Sequence, residues 1–182
     1  MDRARPPSAP GLPRPAGLAA AVAVAEVAGG ASAIKWPNDV LLPASTGKPA
    51  GTAGGRKVAG ILVEGRPREG WMVLGIGLNV AVRPDEFPPE LRDTAGTLGL
   101  EPADVEPVLA ALLCGLERWL AAPPAAVLSA FRARDALAGR EVAWADGRGR
   151  AAGVDDEGHL LVESAGGRVA LDAGEVHLTR RA

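Results

Sequence analysis

Three short stretches of the chain carry residue types that could do chemistry. The first is Lys35-Trp36-Pro37-Asn38-Asp39, the second is Lys57-Val58-Ala59-Gly60-Ile61-Leu62-Val63-Glu64, and the third is Gly75-Ile76-Gly77-Leu78-Asn79-Val80. An ammonium such as that of Lys57 can stabilise negative charge more strongly in a transition state than in the ground state, which is the requirement for catalysis. Glycines inside apolar runs, here Gly60, Gly75 and Gly77, mark a bulge or a place where a ligand comes close to the backbone. Taken singly, each stretch also has a plain structural explanation. Asn38 and Asp39 after a proline can cap their own turn. Lys57 can be a solvated edge lysine, and Gly75-x-Gly77 lacks the third glycine of a dinucleotide loop.

The elements that must hold these residues follow from periodicity and punctuation. Pro15 to Ala28 predicts a helix, opened by a proline in its first turn and stopped by Gly29-Gly30. A secretory leader built on Arg3, Arg5 and Arg14 is the weaker reading, because Pro6, Pro7, Pro10, Pro13 and Pro15 interrupt it and its apolar run is Ala-rich. No stretch approaches the ~18 apolar residues of a membrane span. Ala31 to Leu42 reads as two short extended pieces broken at Pro37-Asn38-Asp39, and Pro43 to Gly55 as a mobile loop. Arg56–Glu64 and Trp71–Val80 read as strands, and their nearly unbroken apolar character predicts cover on both faces. Ala103 to Leu120 has helical spacing, and Ala125 to Leu137 predicts another helix after Pro123-Pro124.

Beyond Gly139 the pattern changes. Arg140–Ala145, Ala151–Val154, His159–Glu163 and Arg168–Leu171 are short segments between turn signals, as in a small antiparallel barrel or sheet. A boundary near Ala138 divides the chain into 1–138 and 139–182, and a second unit that small should lean on the first. Gly147-Arg148-Gly149-Arg150 reads as a hairpin turn, and Asp155-Asp156-Glu157 as a solvated turn. His159 and His177 lie 18 residues apart in the expected barrel with no Cys or carboxylate cluster expected beside them there, so no metal site is expected.

Composition narrows the function classes. A formal net charge of −2 gives no general pull toward phosphate backbones. With no Tyr, two Phe and four Trp, the chain has few residues for a base-stacking platform. The single cysteine, Cys114, excludes an internal disulfide framework and makes a reducing cytoplasm the default. A 47% hydrophobic content suffices for a packed core, built mainly from Ala, Val and Leu.

In this order, the three stretches resemble the central motifs of the biotin protein ligases. Those enzymes carry a Lys/Arg-Trp-Pro-Asn-Asp element, a Lys-x-x-Gly-Ile-Leu-x-Glu strand and a Gly-x-Gly-x-Asn strand. The carboxy-terminal segment, from Leu137-Ala138-Gly139-Arg140-Glu141-Val142 through Gly158-His159-Leu160-Leu161-Val162 to Gly174-Glu175-Val176, is similar to the small SH3-like domain of the same family. The resemblance implies an α+β fold: a mixed sheet with packed helices, followed by that small β-barrel. It also implies activation of biotin with ATP and Mg2+ to biotinyl-5'-adenylate, then transfer to a lysine of a biotin carboxyl carrier protein. Lys57 matches the family's catalytic lysine. Lys57, Gly60, Leu62, Gly75 and Gly77 match biotin-side positions, and Asn38, Asp39 and Asn79 match the nucleotide side. Trp36 and Glu64 read as structural.

The family's opening strand and its Gly/Arg-rich phosphate loop have no counterpart ahead of Pro15, so the chain reads as a ligase without its first third. A helix-turn-helix segment is also missing, so DNA is not an expected partner; neither is a membrane, and a homodimer stays open. Two alternatives remain: a non-catalytic module that retains ligand or partner binding, and a related fold handling lipoate, against which the Lys35–Asp39 element speaks. Without covering strands, a bare apolar sheet face of a few hundred Å² would forfeit on the order of 5–10 kcal/mol, so the chain is expected to be poorly soluble alone.

Overall fold

A computed structural model describes residues 13–43, 55–66, 69–172 and 174–179. Helix α1 (Pro13–Ala28) begins two residues before the predicted start and ends where Gly29 takes φ +100°, a conformation open to glycine at little steric cost. Ala20 to Ala25 are fully buried, as expected of a helix apolar on every side. Its neighbours are the first sheet and the helices α2 (Val105–Leu120) and α3 (Pro124–Arg132).

The first sheet runs in chain order: β1 (Ala33–Lys35), β2 (Asp39–Leu42), β3 (Arg56–Arg66) and β4 (Trp71–Leu78). All its neighbouring pairs are antiparallel. Among the described residues, parallel pairing enters as two isolated bridges, Ile34–Asp135 and Lys57–Ala95, so the mixed character lies at the margin. Residues 44–54 of the expected loop lie outside the described residues, as do 67–68 of the β3–β4 connection.

Side chains alternate along a strand, so register assigns each residue a face. Ile34, Val40, Ala59 and Leu78 lie opposite one another, followed by the pairs Ile61–Ile76 and Val63–Leu74. This face packs into the core that contains α1. The other face carries Leu62 and Val73, each 59% exposed, together with the exposed Trp71. The double cover expected from the apolar runs is therefore corrected: the helices supply one covering layer, and among the described residues the second face is open over β3 and β4, while toward β1 and β2 Ala33 and Leu41 are buried with Ala136.

α2 turns Leu112 and Gly115 inward, and a Cβ at Gly115 would touch the Ala23 methyl at 3.5 Å. Val105, Leu109, Leu113 and Leu120 stay exposed, so its packing face is narrower than its apolar spacing suggests. Trp119 donates its indole N–H to Glu26 at 2.9 Å, and Cys114 is exposed. α3 stops at Arg132 rather than Leu137 because β1 captures the next residues. Ile34 N–H donates to Arg134 O (2.7 Å), Ala136 N–H donates to Ile34 O (2.8 Å), and Leu137 N–H donates to the Asp135 carboxylate (2.8 Å).

The second sheet comprises β5 (Glu141–Trp144), β6 (Gly147–Val154), β7 (Leu160–Ser164), β8 (Gly167–Leu171) and β9 (His177–Leu178), in the order β8-β7-β6-β5-β9 and antiparallel throughout. Barrel closure is not among these pairings. Gly147 to Arg150 belong to β6, contrary to the hairpin-turn reading; the turn is Ala145-Asp146. Gly149 serves close strand contact, since a Cβ there would strike the Glu163 carbonyl. Val142, Ala151, Leu160 and Val162 join the same hydrophobic cluster as α1, so both sheets share one core. Among the described residues, no helix is long and apolar enough to cross a membrane.

Candidate functional site

One row of directly opposed residues crosses all four strands of the first sheet: Lys35, Asp39, Gly60 and Gly77. The next row on the same face pairs Leu62 with Gly75, and the one after it pairs Glu64 with Val73. The glycines leave a shallow strip of open backbone: a Cβ at Gly77 would meet nothing within 4 Å. Four sequence-derived positions, Gly60, Leu62, Gly75 and Gly77, thus share the bare face.

Lys57 reaches that face through an irregularity. In a plain strand it would point with Ala59 and Ile61 toward α1. The register shifts between Val40 and Leu41, however: Val40 pairs with Ala59 and Leu41 with Lys57, which leaves Val58 as the extra residue of a β-bulge. Lys57 therefore lies over Gly60, whose absent Cβ would sit 3.2 Å from both Cε and Nζ. Its ammonium stands 2.6 Å from Asp39 Oδ1, and Lys35 Nζ is 3.6 Å from Oδ2. Asp39 Oδ1 is buried and accepts no well-angled hydrogen bond, so the contact is ionic. Two ammoniums on one carboxylate leave an excess of positive charge facing outward, and the Lys57 side chain is 50% exposed, free to meet an incoming anion. Lys35 was not singled out from sequence; its opposition to Asp39 across a tight turn was the available signal.

Asn38 and Asn79 brace this arrangement. Asn38 Nδ2 donates to Ile61 O (3.0 Å), while Ile61 N–H donates back to Asn38 O (2.9 Å). Asn79 Nδ2 donates to Gly96 O (2.8 Å), and the segment from Thr94 to Gly96 flanks Lys57 through Lys57 N–H to Thr94 O and Gly96 N–H to Lys57 O, each 2.7 Å. A half-open recess of about 180 Å³ between Leu42, Arg56, Phe87 and Gly96 lies beside the row rather than in it. It is smaller than ordinary ligand pockets. Glu64 is exposed, whereas Trp36 is buried.

The absence of carboxylates near His159 is corrected by the fold: Asp155, Glu157 and His159 bring their ligand-type atoms within 4.8 Å of one another. Asp155 is committed to closing its own turn. Its Oδ1 accepts from Glu157 N–H (3.0 Å) and His159 N–H (2.8 Å), and Oδ2 pairs with His159 Nδ1 at 2.8 Å. Partial burial pushes this carboxyl up, but the hydrogen bonds and charge of His159, with the Glu157 N–H, outweigh it and hold it below the usual carboxylate value.

The architecture is that of the biotin protein ligases. The Aquifex aeolicus enzyme in complex with biotin and ATP superposes with a TM-score of 0.72 at 25% identity, over 92% of this chain and 72% of that one. Residues 139–178 match the biotin protein ligase C terminal domain. The biotin--[acetyl-CoA-carboxylase] ligase of Mycobacterium tuberculosis is 34% identical over 152 residues, covering 79% of this chain and 52% of that protein. The bifunctional ligase/repressor BirA of Bacillus subtilis is 33% identical over 179 residues, covering 88% and 52%. The chain belongs to the biotin protein ligase family, and it spans about half the length of these two curated relatives.

Proposed function

We propose that the chain carries the lysine-bearing half of an ATP-dependent biotin protein ligase site, with a catalytic part over 1–138 and a terminal domain over 139–182. In the reaction, a biotin carboxylate oxygen bonds to the α-phosphorus of ATP and pyrophosphate leaves with the electron pair of the broken P–O bond. A carrier lysine amine then attacks the acyl carbon and releases AMP. The observation that carries this reading is the Lys57 ammonium lying over Gly60 on a bare, glycine-lined face. Lys57 would leave Asp39 to meet the charge shared by the carboxylate and the α-phosphate, and Lys35 would remain as the counter-ion of Asp39. Gly60, Gly75 and Gly77 would let the flat bicyclic urea of biotin lie against backbone, with Leu62 supplying apolar contact. Asn38 and Asn79 would shape the nucleotide side by holding the Lys35–Asp39 turn and the 94–98 segment in place. Magnesium would arrive with the nucleotide, since Asp39 is already engaged by two lysines.

The test is the mass of a purified carrier domain incubated with biotin, MgATP and this protein. A gain of one biotinyl group, reduced at least a hundredfold by Lys57→Ala, is expected. No gain under any of these conditions overturns ligation. A second reading, ligand binding without turnover, is favoured by the openness of the face, because positioning and exclusion of water supply much of a barrier reduction. Calorimetric binding of biotin without mass gain would establish it.

A further inference from the structure

The half-buried turn that carries Lys35 and Asp39 is tied to the second sheet. Trp36, 2% exposed, donates its indole N–H to the Gly158 carbonyl at 3.0 Å across 122 residues of sequence. The acceptor is held in turn. Gly158 sits at φ +82°, its N–H donates to Asp155 O (3.2 Å), and Asp155 closes the turn through Glu157 and His159. On the other side, Arg132 of α3 grips Val154 O with Nε (3.1 Å) and Nη2 (2.8 Å) and pairs with Asp156 at 2.9 Å. A carbonyl fixed from two directions makes a rigid stop for the indole. The indole belongs to the same five-residue turn as Asp39, the residue that sets where Lys57 rests.

From this chain of contacts we infer that Trp36 is a positioning residue, and that the 155–159 turn of the second sheet sets the geometry of the Lys57–Asp39 pair through it. The terminal segment then acts on the acyl-activating step. This rests on the reading of the face as a biotin-activating site.

The test uses the full chain and Trp36→Phe, which keeps an aromatic ring of smaller size and deletes the donor. Biotin-dependent exchange of labelled pyrophosphate into ATP reports activation, and transfer from supplied biotinyl-adenylate to a carrier domain reports the second step. Amide hydrogen exchange over 35–41 reports the turn. The expected result is a three- to tenfold fall in kcat for pyrophosphate exchange, the scale of one hydrogen bond, with KM for biotin and transfer from the adenylate held within twofold. Amide exchange at 39–41 should quicken. Unchanged kcat together with unchanged amide exchange overturns the inference. Should Trp36→Phe lose its cooperative melt, Asp155→Ala, which loosens the stop without touching the face, decides by the same readouts. Absence of pyrophosphate exchange in the unaltered chain would refute the ligase reading by itself, and amide exchange over 35–41 would still decide whether the tie positions the turn.

Discussion

The two faces of the first sheet are built from the same four strands and do opposite work. On one, Ile34, Val40, Ala59 and Ile61 sink against α1; on the other, one residue away in sequence, Lys35, Asp39 and Gly60 are half-buried and Leu62 is exposed. The covered face favours branched and large apolar side chains because burial stabilises it. Along the row Lys35, Asp39, Gly60 and Gly77 the open face carries glycine and charge in place of bulk, giving up stabilisation for access. The lesson is that folding and chemistry are separated here by strand parity rather than by distance along the chain.

Ile61 and Leu62 offer the sharpest way to break that comparison, being 3% and 59% exposed. Ile61→Ala should lower stability by about 2–5 kcal/mol, read as a fall in the thermal midpoint. Leu62→Ala should stay within about 0.5 kcal/mol, and Leu62→Lys should raise the concentration at which light scattering still finds a monodisperse protein. Equal losses at the two positions would mean that both faces are covered in solution.

A smaller effect separates two glycines of one row. In Gly60→Ala the new methyl presses on the flexible end of Lys57, so stability changes by less than about 1 kcal/mol, while adenylate formation falls severalfold as the ammonium is pushed off Asp39. In Gly77→Ala the methyl enters open space, and stability changes still less. If the two variants lose activity equally with biotin saturating, the Lys57 placement is not what matters.

The smallest effects are titrations of opposite sign. Burial pushes the Asp135 carboxyl up, partly offset by the Leu137 and Ala138 N–H groups. Its stabilising contribution is therefore complete below the ordinary 3.8 and is lost as pH rises through the folded value. Asp155, held low, contributes above 3.8 and loses that contribution as pH falls through its folded value. Asp135→Asn should raise the melting temperature at pH 7 and converge with the parent in acid, whereas Asp155→Asn should lower it at pH 7 and also converge in acid. Parallel melting curves across pH would contradict both assignments.

The helices over 13–28 and 105–120 and the three chemical stretches were legible because periodicity and punctuation are local. Placement of Gly60, Leu62, Gly75 and Gly77 on one face followed from alternation once the strands were paired. Lys57 did not follow, because a bulge is invisible until β2 is laid against β3. The bare face was hidden too, since an unbroken apolar run looks the same whether one or both sides are packed. The shortened α3 depended on capture by β1, and the Trp36–Gly158 tie joins residues that no sequence window contains.

The extra residue at Val58 makes the motif's spacing a matter of arithmetic. Lysine and glycine three positions apart would point to opposite sides of an undistorted strand; the bulge adds the half-period that brings them together. Removing the extra residue would restore a regular ladder and leave the pair on one face; straightening the strand at its present length is what would turn the ammonium toward α1. The three-residue spacing and the bulge therefore belong together, since either without the other would turn the charge to the wrong side.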